Sequence, residues 1–314
     1  MTAPKWGESF LKSGLPLEHL TAVTLRSLNW HTDPQYEYSR RNRENQEAWF
    51  EMDLVASCPD DNRSTELSLL VECKYHDLSR YWFFLPYDPS GRWCFDDRVL
   101  NCGPYSTLKE PRADTALSLA PISSGGIVVS KDGTKQDNSV RAAIEQLANG
   151  FVPYSLSYIF GYQLDFRNVW GADDAADFVP AATVLVPMIV TNASLYRLKP
   201  SVTNLDTIRE AKSPAEVADE VEWTWHYYDV PHRLFRQNLD AIDEHVKEQA
   251  ELVYHFPNVK EVIDDFADRP NWIAIVNISA LSKVVTAIQN YFTAMETVEV
   301  RHIIHPRKHR KKKN

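Results

Sequence analysis

Cysteine is scarce in this 314-residue chain, and long apolar runs are missing. Its four cysteines, Cys58, Cys73, Cys94 and Cys102, form no C-x-x-C pair and no spacing with histidine that would hold zinc. A disulfide framework and a zinc finger are excluded, and a reducing cytoplasm is the expected setting. The longest apolar run, residues 179–190, is about half a membrane span. Pro180 and Pro187 break it, so no membrane partner is expected. Residues 1–30 are polar and interrupted by Gly and Pro, unlike a secretory signal. Gly125-Gly126 lacks the spacing and the lysine of a phosphate loop, so nucleotide binding is not expected. No internal repeat and no Gly/Ser linker divides the chain. One domain over residues 1–300, carrying insertions, is expected in preference to two.

What is present is ordinary globular material with an uneven charge. The hydrophobic fraction is 44%, and 9 Trp, 14 Tyr and 13 Phe supply enough bulk for a packed core. Residues 301–314 hold seven Arg or Lys and no acid, so the net −9 of the whole chain less that +7 leaves −16 on residues 1–300. An acidic body repels a polyanion over most of its surface. Nucleic acid would have to meet a local groove, a metal ion, a partner or the tail. In that tail Arg307, Lys308, Arg310, Lys311, Lys312 and Lys313 are candidate nucleic-acid contacts, with a merely solvated end as the alternative.

The most informative stretch is residues 49–75. Phe50, Met52, Leu54 and Ala56 alternate with Glu51, Asp53 and Val55, the period of a half-buried strand with Asp53 on its less apolar face. A Pro59-Asp60-Asp61-Asn62-Arg63-Ser64 segment full of turn formers follows, and then Leu69-Leu70-Val71-Glu72-Cys73-Lys74, on which Glu72 and Lys74 share a face. An antiparallel pair would gather Asp53, Glu72 and Lys74 at one place. Hard divalent cations take oxygen ligands, commonly one or two carboxylates with waters and phosphate oxygens. Asp53 and Glu72 could supply the carboxylates and the Cys73 carbonyl a further oxygen. Lys74 would orient a water or offset developing charge. The chemistry implied is hydrolysis of a nucleic-acid backbone.

In these residues the sequence resembles the PD-(D/E)XK nuclease superfamily, and within it the Mrr-type restriction endonucleases. Asp53 closes one strand and Glu72-Cys73-Lys74 lies on the next, while Met52 stands where the family name has proline. The resemblance implies an α/β fold, a restriction-endonuclease-like core with a central mixed sheet flanked by helices. It also implies a magnesium-dependent endonuclease, with manganese as a substitute, acting on DNA in antiviral defence or repair. Homodimerisation, or a partner subunit in a defence assembly, would fit such a role. An acid on the first helix often joins the cluster in this superfamily, which makes Glu18 a candidate ligand or ligand orienter against a plain helix-start acid. Mrr-type members carry a supporting glutamine on the helix after the lysine strand, which singles out Gln146. A catalytically silent member that only binds nucleic acid or a partner is the competing reading.

Elsewhere the periodicity predicts helices over 16–30, 137–150, 234–256 and 280–295. Residues 31–47, with Arg40, Arg41 and Arg43, read as a polar loop. Strands are expected over 81–86 and 271–277. Another is expected over 181–196, its ladder starting near Met188 because Pro180 and Pro187 precede it. The aromatic run 221–228 is expected to pack in the core, with base stacking as the alternative use.

Overall fold

The computed structural model describes residues 5–41, 46–60, 65–77, 79–87, 100–102, 106–109, 121–133, 136–156, 182–248, 267–294 and 296–299. Two helices, α1 (Lys5–Lys12) and α2 (Leu15–Ser27), precede four strands, β1 (His31–Arg41), β2 (Glu47–Asp60), β3 (Thr65–Lys74) and β4 (Arg80–Pro86). Short β5 (Leu100–Cys102) and β6 (Ser106–Lys109) lead to β7 (Ile122–Ser130), β8 (Gln136–Asp137) and helix α3 (Ser139–Leu156). Then come β9 (Ala182–Thr191), β10 (Ser194–Leu198), the short helices α4 (Leu205–Glu210) and α5 (Pro214–Val217), β11 (Ala218–Val221) and β12 (Trp223–Tyr227). Helix α6 (His232–Glu248), β13 (Trp272–Asn277), α7 (Leu281–Ala294) and β14 (Glu296–Glu299) complete the described chain.

The fold is α/β, with a large mixed sheet flanked by helices. Among the described residues twelve strands join one sheet in the main order β1-β2-β3-β9-β13-β12-β7-β4-β10-β11, with β5 beside β9 and β8 beside β7, while β6 and β14 pair separately. Third and fourth in that order is the parallel pair β3–β9, in register from Thr65↔Ala182 to Lys74↔Thr191. Leu67, Leu69, Leu70, Val71, Leu185, Val186, Met188, Ile189 and Val190 are all inaccessible to solvent, as strands covered on both faces must be. On one side Leu17, Ala22 and Leu25 of α2 pack with Leu281, Val284, Val285 and Ile288 of α7 against Leu69, Val71 and Val190. On the other, Val140, Ala143, Ile144, Leu147 and Phe151 of α3 meet Leu70, Ile189, Trp82, Phe84 and Ile275.

The sheet curls strongly. Only Asn192 and Ala193 separate β9 from β10, yet these strands stand fourth and ninth in the order. The short link from β3 to β4 makes the same jump, from third place to eighth. Both crossings turn at one corner, and α3 fills the concave side.

Several sequence expectations change. Residues 31–41 are an edge strand, β1, paired antiparallel with β2. Their polarity is that of a ribbon with one edge in water, where Tyr38 is buried and Thr32 and Tyr36 are half-buried. Arg43 lies outside the described residues. The β9 ladder begins at Ala182 and runs through Pro187. That proline falls between the part of β9 paired to β5 (183–185) and the part paired to β13 (188–191), a gap in one ladder where no N–H is needed. Helix α3 does not stop at Gly150 but runs on to Leu156. Gly150 serves close packing, because a Cβ there would lie 2.7 Å from Met52 Cε and 2.9 Å from Tyr38 Cε1. The aromatic strand β12 lies in the core, Trp225 and His226 being buried.

Gly125 takes φ 54 where the β4–β7 register shifts between Phe84 and Leu85. On its neighbour Gly126 a Cβ would come within 2.8 Å of Val140 Cγ1 and 3.0 Å of Phe84 Cε1. Gly126→Ala is therefore expected to destabilise the fold by roughly 1–3 kcal/mol. Urea unfolding should show a lower midpoint at unchanged slope.

Candidate active site

Strand β2 is regular up to Leu54 and irregular at Asp53. Its antiparallel register with β3 runs from Asp60↔Thr65 to Leu54↔Val71 and ends there. On its other edge Gln35, which would face Asp53, has φ 60 and drops out of the β1 pairing. Freed from both ladders, Asp53 turns its side chain into the sheet, and its Oδ2 accepts the Cys73 N–H at 2.7 Å. The irregularity also breaks the expected alternation. Leu54 and Ala56 pack on the α2 face, Met52 on the α3 face, and Phe50 is exposed.

Alternation on β3 sends Leu70, Glu72 and Lys74 toward α3, while Cys73 turns to α2, where its thiol meets Thr21 Oγ1 at 3.6 Å. Burial pushes the Cys73 thiol up, so it is a neutral core group. Glu72 is fully buried. Its Oε1 accepts a short hydrogen bond from Lys74 Nζ, whereas its Oε2 has no hydrogen-bond partner among the described residues. Asp53 stands beside Glu72: its negative charge favours the protonated form of the Glu72 carboxyl, and that carboxyl in turn favours the ionised form of Asp53. Lys74 Nζ also donates to Gln146 Oε1 of α3 at 3.2 Å, and Gln146 Nε2 reaches the Glu51 carbonyl at 3.4 Å. One amide thus joins α3 to both β2 and β3. Glu18 on α2 is half-buried, and Asp53, Glu51 and Lys74 all act on it electrostatically.

Burial and mutual charge act on these carboxyls together. Burial, then the neighbouring Asp53 carboxylate, raises the Glu72 pKa to about 8. Asp53 is raised by burial, opposed by the Cys73 N–H and by Lys74. Glu18 is raised by burial and by Asp53. Among the described residues no three His, Cys, Asp or Glu side chains are drawn close enough to cage a metal by themselves.

The structure thus brings Asp53, Glu72, Lys74 and Gln146 together, with Glu18 alongside. The tail residues Arg307, Lys308, Arg310, Lys311, Lys312 and Lys313 lie outside the described residues. One cluster beside this site has no counterpart in the sequence reading. His76 Nε2 lies 3.2 Å from Ser139 Oγ, and Asn192 holds the His76 main chain from both sides. Carrying the Glu72, Lys74 alternation one step further would have reached His76. No family model, curated protein or solved structure matches the chain. Among the described residues no helix is long and apolar enough to cross a membrane.

Since the folded pKa of Glu72 is raised from 4.5 to about 8, folded protein keeps a proton in that interval which unfolded chain has released. The contribution of this group to stability is full below pH 4.5 and is lost as pH climbs through about 8. In metal-free urea titrations at pH 5 and pH 8, wild type should lose more stability with rising pH than Glu72→Gln. Equal pH slopes would contradict this assignment.

Proposed function

We propose that the chain is a metal-dependent endonuclease of the PD-(D/E)XK type with a restriction-endonuclease-like core, acting on DNA. The observation that carries this reading is Glu72. Its carboxyl is wholly buried, one oxygen lacks a partner, and a second carboxyl stands beside it. A buried carboxyl held protonated beside a second one, with one oxygen unpartnered among the described residues, costs stability, as perturbed groups at functional sites commonly do.

The candidate ligands Asp53, Glu72 and Glu18 offer only oxygens, which fits a hard divalent ion, with the Lys74 ammonium beside them. Asp53 and Glu72 would hold magnesium, or manganese in its place. Glu18 and the Cys73 carbonyl are the further candidates, as orienter or additional oxygen. Bound there, such an ion polarises a phosphodiester and acidifies a water. Lys74 sets one positive charge where negative charge grows on the phosphate oxygens, and Gln146 fixes the direction of that charge. Because residues 1–300 carry −16, the basic residues 301–314 or a partner subunit, a second copy of this chain included, would draw DNA to the site. A defence or repair role in the cytoplasm suits this chemistry.

The test is cleavage of plasmid, linear and single-stranded substrates with magnesium. Asp53→Ala and Lys74→Ala should each lose roughly 100-fold or more in rate while remaining folded by circular dichroism at the assay temperature, with a lowered melting temperature from the Cys73 N–H or Glu72 carboxyl left unpaired. Binding without cutting in all three proteins would support the silent, binding-only reading instead. Deleting residues 301–314 should weaken DNA binding, and the slope of log affinity against log salt should become shallower.

A further inference from the structure

We propose that His76 is a general base of this site, its imidazole held in one tautomer by a Ser139–Asp137 relay so that Nδ1 is the proton acceptor. The inference rests on the nuclease reading and names a residue that reading does not use. Lys74 and His76 reach the same helix. Lys74 meets Gln146 and His76 meets Ser139, two turns apart on α3, so the two side chains touch that helix roughly 10 Å from one another. The Lys74 Nζ is engaged as a donor to Glu72 and Gln146. An ammonium in that state cannot take a proton from water, and the reaction needs a group that can.

The proton order along the relay follows from its chemistry. Arg80 pairs with Asp137, and the hydrogen bonds from Ser139 hold that carboxyl below the usual carboxylate range, so Asp137 only accepts. Ser139 Oγ gives its single proton to Asp137 Oδ1 and must then accept from His76, which fixes Nε2 as the protonated nitrogen. No described residue hydrogen-bonds to Nδ1. Burial lowers the His76 pKa; Asp137 on β8 and Asp77 on its own segment oppose this, and Arg80 on β4 and Lys74 on β3 add to it. The ring is neutral at pH 7, with a free lone pair on Nδ1. It is also held in place. Asn192 Oδ1 accepts the His76 N–H at 2.8 Å, Asn192 Nδ2 donates to the His76 carbonyl at 2.6 Å, and the ring meets Trp82 edge-on at 5.4 Å. A half-exposed imidazole so pinned is pre-organised for its task.

In the step proposed, Nδ1 takes a proton from a water, directly or through one bridging water. The water oxygen bonds to phosphorus, one ester P–O bond breaks, and the departing oxygen acquires a proton from solvent. The imidazolium then returns its proton to solvent. No oxidant, reductant or co-substrate other than water is consumed.

The experiment uses the full chain with magnesium on plasmid DNA, comparing wild type, His76→Ala and Ser139→Ala. Asn192 grips only the main chain of His76, so the alanine variant keeps those bonds. His76→Ala should cut roughly 100-fold more slowly or worse. Added imidazoles should restore part of the rate, more strongly as their basicity rises, which no misfolded or merely loosened protein would show. Ser139→Ala should fall between the two. In wild type, 15N chemical shifts should show His76 protonated at Nε2 and bare at Nδ1 near pH 7.5. His76→Ala cutting at the wild-type rate, a slow variant deaf to every imidazole, or the opposite tautomer each overturns the base assignment while leaving the nuclease reading intact. Wild type that cuts no substrate overturns both.

Discussion

A single substitution of partners in a sheet ladder governs the site. Where β2 would offer a main-chain carbonyl to β3, Asp53 offers its carboxylate to the Cys73 N–H. That exchange stops the antiparallel ladder at Leu54 and seats one carboxyl next to the residue that follows Val71, which is Glu72. A main-chain hydrogen bond to a carboxylate is charge-assisted and directional, so Asp53 is held more firmly than a surface acid would be. The cost of its burial is offset in part by the Cys73 N–H, although burial still leaves the Asp53 pKa raised.

Around that bond the electrostatics remain unresolved, and the packing enforces the conflict. Helix α3 lies in the concave side of the sheet and leaves Glu72 no route to water, while Lys74 satisfies only one of its oxygens. Such a pair would be more stable as two apolar side chains of similar volume. It sits at the C-terminal end of β3, where the parallel register with β9 finishes at Lys74↔Thr191. There Thr191 Oγ1 caps the Lys74 carbonyl at 2.8 Å, and Asn277 Nδ2 caps that of Ala193 at 2.8 Å. Side-chain amides and hydroxyls thus continue the ladders for one more step beyond the strands and keep the rim of the site rigid.

Legibility from sequence followed how local each cause was. Period-2 alternation put Glu72 and Lys74 on one face, and helical periodicity located α2 and α7, because each pattern is completed within one element. The break at Asp53 was not legible, since it depends on Gln35 leaving the β1 register. Gly150 suggested a helix end, but it faces Met52 and Tyr38, two contacts from distant strands. Pro187 suggested a late ladder start because nothing local reveals that its edge passes from β5 to β13 at that residue. Polar β1 was hidden by having one edge in water. The curl of the sheet, and with it the neighbourhood of His76, Ser139 and Asn192, belongs wholly to long-range pairing. The basic residues 301–314 lie outside the described part, and their role rests on composition.

The pairing of Thr65 with Ala182 has a temporal side. A ribosome adding about 5–20 residues per second takes many seconds to make the chain between those partners. Through that interval β3 has no parallel neighbour and Asn192 is not yet there to clasp His76. Whatever this cluster does, a nascent chain cannot do it until most of the protein has been synthesised, and a product truncated before β9 carries Asp53, Glu72 and Lys74 without the neighbours that hold them.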